Sequence, residues 1–450
     1  MTEKPDLRLP RNFRFGAATA AYQIEGATQT DGRGASIWDA FSAQPGKVVG
    51  GDTGERACEH YQRWESDLDL AASLGLDSYR FSIAWPRVLP AGRGSVERRG
   101  LAFYDRLIDG CLQRGLQPFA TLYHWDLPLA LEKAGGWRSR ETAAAFGEYA
   151  AVVAARFGDR LHTLCTFNEP WCSAVLGHLS GVHAPGHTDL DETLAVIHHQ
   201  HVAHGLAVRA IRAETATPAL GIVLNAQAVY PGSDDEADVA AAVRHEAFHN
   251  GLWFSPLFGE GYPPEALEAL GARLPEGFQD DMAGIREPLD WWGLNYYTPA
   301  RVRHDEGAAW PSSAVVAPAG GVPVTDIGWE IAPATLTDCL TRLNERWSLP
   351  PCWITENGCC DNTGIVDGAI DDTMRRDYLH AHLDALADAI DAGVDVRGYF
   401  AWSLMDNFEW AEGFAMRFGI VHVDYDTQVR TIKLSGHAYA ELIAAYRDRR

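Results

Sequence analysis

A chain of 450 residues, 46% of them hydrophobic, has ample material for a large core, and α/β barrels of this length fold as one unit. Its formal net charge of −23 argues against phosphate backbones and anionic lipid surfaces, so neither nucleic acid nor membrane is an expected partner. No apolar run reaches bilayer length, and Glu3, Lys4, Asp6 and Arg8 interrupt the stretch from Met1 to Pro10, so the expected location is cytoplasmic, with the eight cysteines as reduced thiols.

Phe13 to Ala17 and Ser78 to Ile83 read as the first two strands. Residues 97 to 114 then place Leu101, Leu107 and Ile108 at helical spacing, and Gly115 supplies a left-handed cap. Leu116 to Tyr123 follows as a strand that ends at His124-Trp125-Asp126. The helix-then-strand unit recurs: a helix over 141–157, then Leu161 to Phe167, ending at Asn168-Glu169-Pro170. Leu220 to Asn225 and Leu289 to Asn295 are the next strands. A helix over 334–347 precedes Cys352 to Thr355, which ends at Glu356-Asn357-Gly358. A helix over 372–391, broken by Gly393, precedes Arg397 to Ser403. Eight strands alternating with helices predict an α/β fold, a (β/α)8 TIM barrel spanning residues 1–450 as a single domain. A doubly wound sheet would place a Gly-rich turn after its first strand, and none is present. The segment from Gly307 to Pro323 reads as one of the long βα loops that form the active-site rim.

His124, Glu169, Asn295, Glu356 and Trp402 all fall at strand exits, where barrel enzymes keep their chemistry. A carboxylate there is costly unless it is paired or used, and two facing one mouth suit an acid/base pair. Two carboxyls are the minimum apparatus for breaking a glycosidic bond. The sequence holds 15 tryptophans; Trp125, Trp171, Trp329, Trp402 and Trp410 lie beside the acidic motifs, where flat faces suit sugar rings. Trp64, Trp253 and Trp347 are expected to pack the core. His198, His199, His201 and His204 crowd one helix without a carboxylate or cysteine to complete a metal site, so they read as satisfied or surface residues. The neighbours Cys359 and Cys360 read as small buried thiols.

Several ordered motifs resemble glycoside hydrolase family 1 across the span from Phe13 to about Tyr446. They are Thr166-Phe167-Asn168-Glu169-Pro170-Trp171, Ile354-Thr355-Glu356-Asn357-Gly358, Ala21-Tyr22-Gln23-Ile24-Glu25-Gly26 and Trp402-Ser403-Leu404-Met405-Asp406-Asn407-Phe408-Glu409-Trp410. The resemblance implies a retaining β-glucosidase that releases terminal β-D-glucosyl units from small β-glucosides and cello-oligosaccharides, with no cofactor and no metal. Glu356 would then be the nucleophile and Glu169 the general acid/base. It implies further that Asn168 meets the sugar 2-hydroxyl, while Tyr297 and Arg80, supported by Asn295, hold Glu356 ionised. Gln23, His124, Glu409 and Trp410 would bind the remaining hydroxyls over Trp402. Trp171, His183, Asn225 and Trp329 would face the aglycone. Glu409 argues against the 6-phospho-β-glycosidase alternative, and possession of both glutamates argues against a non-catalytic carbohydrate-binding protein. Glu97, Ile432 and Cys359-Cys360 depart from the family pattern, away from these groups.

Overall fold

The computed structural model describes residues 8–449, so most of the charged stretch before Pro10 lies outside the described residues. Eight parallel strands close a barrel: β1 (Arg14–Ala18), β2 (Ser78–Ser82), β3 (Gln117–Tyr123), β4 (Thr163–Asn168), β5 (Ala219–Asn225), β6 (Trp291–Asn295), β7 (Cys352–Asn357) and β8 (Val396–Trp402). Closure comes from the pairing of β1 with β8, which runs from Arg14 opposite Gly398 to Ala18 opposite Trp402. Strand residues are almost uniformly buried, because parallel barrel strands are covered on both faces. This is why they appear in the sequence as continuous apolar runs. All eight expected strands are present, with ends displaced by one to a few residues.

The expected helices fall at Arg98–Gln113, Arg140–Phe157, Ala334–Arg346 and Thr373–Asp391. Each carries buried positions at helical spacing, such as Phe103, Leu107, Ile108 and Cys111 on the first. Trp253 and Trp347 are buried in the main apolar core and Trp64 is half-buried against it. The histidine-rich segment lies in the helix Leu190–Glu214, with all four imidazoles buried. His198 bonds Tyr262 and Asp281, while His199, His201 and His204 bond Trp137 O, Ile197 O and the Thr166 hydroxyl through Nδ1. Five different partners share out these four side chains, as expected of packed residues.

The segment Gly307 to Pro323 does belong to a βα connection, the one leaving β6, but it is not a plain loop. Ala300–His304 pairs antiparallel with Ser313–Val315 and parallel with Val229–Pro231, making a three-stranded sheet outside the barrel. The cavity-lining residues of this connection are Tyr297, Thr298, Ile327 and Trp329, which flank the segment rather than belong to it. The connection leaving β8 is pinned from below: Asp406 accepts from Lys433 Nζ and from Arg417, both at 2.7 Å. Asp406 and Lys433 are fully buried, and this ion pair fixes the base of the loop that carries Glu409 and Trp410.

Candidate active site

Strand pairing slips just before each of the two glutamates, between Cys165 and Asn168 on β4 and between Ile354 and Glu356 on β7. Such irregularities re-aim side chains and recur beside active sites. Glu169 stands one residue past β4 with φ 42, and Trp125 and Trp410 adopt φ 76 and φ 50. Left-handed backbone is disfavoured for these residue types, so the surrounding structure must hold all three in place. Gly358, two residues past Glu356, allows a backbone approach that a side chain would block: a Cβ there would lie 1.9 Å from the Trp402 carbonyl oxygen.

These exits open on a cavity of about 540 Å³. Glu169, Glu356, His124, Asn295, Tyr297, Trp402, Glu409, Trp410, Trp171, His183, Asn225 and Trp329 all line it, so twelve of the fifteen expected site residues converge on one space. Gln23, Arg80 and Asn168 are not part of its lining and are fully or almost fully buried. Gln23 donates through Nε2 to Asn407 Oδ1 and the Phe408 carbonyl, which leaves its own Oε1 without a partner. Among the described residues, no lysine or arginine lines the cavity.

The two carboxyls sit in different settings. Glu356 Oε1 accepts from Arg80 Nη1 at 2.6 Å, and Oε2 accepts from the Tyr297 hydroxyl at 2.7 Å. Glu169 Oε1 accepts from Asn295 Nδ2 at 2.6 Å, and Oε2 accepts from the Cys172 thiol at 2.9 Å. Burial raises both carboxyls above the ordinary range. Arg80, and next Tyr297, act against burial at Glu356, so it is the first of the two to ionise. Glu169 touches no cation and faces the Glu356 charge, and these effects of burial and repulsion push it up to about 7. The environment thus separates two identical side chains into an ionised and a protonated partner.

Asn168 is held on three sides. Its Oδ1 accepts from Arg80 Nη2 at 2.6 Å and from Asn295 Nδ2 at 3.0 Å, while its Nδ2 donates to His124 Nε2 at 3.2 Å. The Trp125 indole N–H donates to the Asn168 carbonyl at 2.9 Å. Burial keeps His124 well below its usual value, hence neutral, and lowers His183 to about 3. Glu409 is pushed up to about 8, first by burial and next by the charges of Glu356 and Glu169. A stack of rings closes one side: Trp402 and Trp410 lie near-parallel to His124, and Trp410 packs on Tyr22, Trp38 and Trp125. Trp329 packs on Tyr297 and Phe418, in the apolar cluster that also holds Trp402.

Sequence reasoning missed several lining residues. Cys172 follows Trp171 directly and was findable as the next residue of a long motif. His249 gave no signal, since it enters from the π-helical turn Ala247–Gly251, far from any strand exit, and packs its ring on Trp171 at 4.6 Å. Ile327 and Phe418 likewise come from loops whose path no periodicity reveals, Glu412 ends the short turn Trp410–Glu412, and Gln227, two residues past β5, was overlooked beside Asn225.

Comparison with known proteins identifies the family and the fold. The Glycosyl hydrolase family 1 model matches residues 6–447. A beta-glucosidase of Agrobacterium sp. is 54% identical over 441 residues, 98% of this chain and 96% of the relative. Beta-glucosidase A of Thermotoga maritima is 45% identical over 438 residues, 97% of this chain and 98% of that one. The virulence factor SghA of Agrobacterium tumefaciens, solved with its substrate analog salicin, superposes with a TM-score of 0.95 at 54% identity, covering 97% of this chain and 96% of that chain. With a full-length family match and relatives this similar on either side of it, the chain belongs to glycosyl hydrolase family 1.

Proposed function

We propose that this β-glucosidase hydrolyses β-glucosides with net retention, Glu356 attacking the anomeric carbon and Glu169 serving in turn as general acid and general base. The observation that carries the reading is the contrast between the two carboxyls in one cavity: Glu356 clasped by Arg80 and Tyr297, Glu169 hydrogen-bonded only to the neutral Asn295 and Cys172. Asn295 donates to Glu169 at 2.6 Å and also favours the ionised form of Glu356, and a neighbour common to both carboxyls suits the close spacing of retaining enzymes. Asn168, held by Arg80, Asn295 and His124, is suited to meet the 2-hydroxyl. Gln23, His124, Glu409 and Trp410 take the other hydroxyls, with Trp402 beneath the ring. Trp171, His183, Asn225 and Trp329 line the leaving-group side.

Terminal glucosyl units of aryl glucosides and cello-oligosaccharides are the substrates we assign, which places the enzyme at the last step of β-glucan breakdown. A cavity with several carboxyls and no lysine or arginine in its lining disfavours a 6-phosphate. The eight cysteines, all free and buried, suit a reducing compartment, and we place the reaction in the cytoplasm. No helix among the described residues is long and apolar enough to cross a membrane. Pairing of β1 with β8 ties the two ends of the sequence together and supports a single catalytic domain.

A panel of chromogenic β-glucoside, β-galactoside, β-fucoside, α-glucoside and 6-phospho-β-glucoside tests the assignment. Turnover should be fastest on the β-glucoside and absent on the α-glucoside; turnover of the 6-phosphate alone would overturn it. Because the acid must be protonated, kcat/KM should fall as pH rises through about 7, the value to which burial and Glu356 push Glu169.

A further inference from the structure

The thiol of Cys172 lies in the cavity wall, with Sγ 2.9 Å from the Glu169 oxygen that Asn295 does not touch. Its position is fixed by the backbone, because Cys172 N donates to the Glu169 carbonyl at 2.9 Å and opens the tight turn Cys172–Leu176. Asn225 Nδ2 approaches the same sulfur at 3.9 Å, so one side chain joins the end of β5 on the leaving-group side to Glu169. Burial and the adjacent Glu169 charge hold this thiol well above its ordinary value. It therefore stays S–H under working conditions and acts as a donor, not as a nucleophile.

Resting on the reading of Glu169 as acid/base, we propose that Cys172 is a positioning residue whose S–H donates to Oε2 of Glu169 whenever that carboxyl is ionised. The charge balance of the reaction shows when this matters. In the first step the bond between the anomeric carbon and the leaving oxygen breaks, and Glu356 bonds to that carbon and loses its charge. The Glu169 proton passes to the leaving oxygen, so the negative charge reappears on Glu169. Asn295 at Oε1 and Cys172 at Oε2 are the two donors that meet it there. In the second step Glu169 takes a proton from water, the water oxygen bonds to the anomeric carbon as the bond from that carbon to Glu356 breaks, and the charge returns to Glu356. A weak thiol donor suits this alternation, because it favours the carboxylate without trapping it.

The charged and titratable groups facing Glu169 are Glu356 on β7, Arg80 on β2, Tyr297 beyond β6 and Glu409 beyond β8. All of them persist when Cys172 is changed. The test compares the wild type with Cys172→Ala, Cys172→Ser and Glu169→Ala. It reads the pH profile of kcat/KM on aryl β-glucosides with graded leaving groups, with thermal unfolding alongside. Loss of a donor to the carboxylate raises the Glu169 value, so the alkaline limb of Cys172→Ala should move up by roughly half a pH unit. Poor leaving groups should slow several-fold more than activated ones, and the serine hydroxyl should restore both features. A purely structural role would lower the unfolding temperature and leave the limb in place. An unmoved limb in Cys172→Ala, or a serine variant no better than alanine, overturns the proposal. An alkaline limb that survives in Glu169→Ala overturns the assignment of Glu169 itself, and this one with it.

Discussion

Replacing Glu356 by glycine should cut aryl β-glucoside hydrolysis by roughly 10⁴-fold or more, the scale on which covalent enzymes suffer when the nucleophile is removed. Azide should then restore turnover and release an α-glucosyl azide. The expectation follows from what the substitution leaves behind. Arg80 Nη1 and the Tyr297 hydroxyl, which now hold the carboxylate at 2.6 and 2.7 Å, would face an emptied space suited to a small anion. Azide in that space attacks from the face Glu356 used, and a single displacement inverts the anomeric centre. Glu169 remains in place to protonate the leaving oxygen. A β-azide would show that the attacking group sits elsewhere, and near-normal hydrolysis would remove Glu356 from the chemistry.

Glu169→Ala should have a graded effect. Substrates with poor leaving groups, which need a proton to depart, should lose roughly 10²–10⁴-fold in kcat/KM. Activated aryl glucosides, whose phenolate leaves unaided, should lose far less in the first step. For them the deficit moves to the second step, in which no base activates water, so covalent enzyme accumulates and a burst of phenol precedes slow turnover. The alkaline fall in rate should vanish with the group responsible, which burial and Glu356 hold at about 7. Rates for a leaving-group series, with and without the substitution, measure all of this. An equal loss on every substrate would mean that Glu169 shapes the site without transferring a proton.

The barrel was legible in the sequence because its strands are buried on both faces and end in polar residues. Cys352 to Thr355 followed by Glu356, or Leu161 to Phe167 followed by Asn168-Glu169, is an apolar run stopped by chemistry. Strand ends shifted slightly where the pattern has no edge to read: Asn168 and Glu356 still belong to ladders that slip at those very positions. The segment from Gly307 to Pro323 misled for a different reason. Its short strand, Ser313–Val315, pairs only with other loop segments, and pairing between loops has no sequence period.

The candidate site was legible wherever a side chain sits within a few residues of a strand exit, as Glu169, Asn295, Tyr297 and Trp402 do. Arg80 shows the limit of that reading: expected beside Glu356 alone, it also donates to Asn168 Oδ1 and so couples the cradle of the proposed nucleophile to the expected 2-hydroxyl contact. Gln23 is more deeply set than a hydroxyl ligand need be, with its carbonyl oxygen as the one unsatisfied atom. His249 and Phe418 were invisible because only the folded paths of two loops bring them to the cavity.

The most direct test of the central claim is to trap the covalent step. The protein would be incubated with a 2-deoxy-2-fluoro-β-glucoside bearing an activated leaving group, which slows turnover of the intermediate more than its formation, and then read by intact mass and peptide mapping. One fluoroglucosyl group per chain, attached to Glu356 in the peptide containing Ile354-Thr355-Glu356-Asn357-Gly358, is the result the double-displacement account predicts. A label on any other residue, or hydrolysis of the reagent without an adduct at any time point, would contradict it.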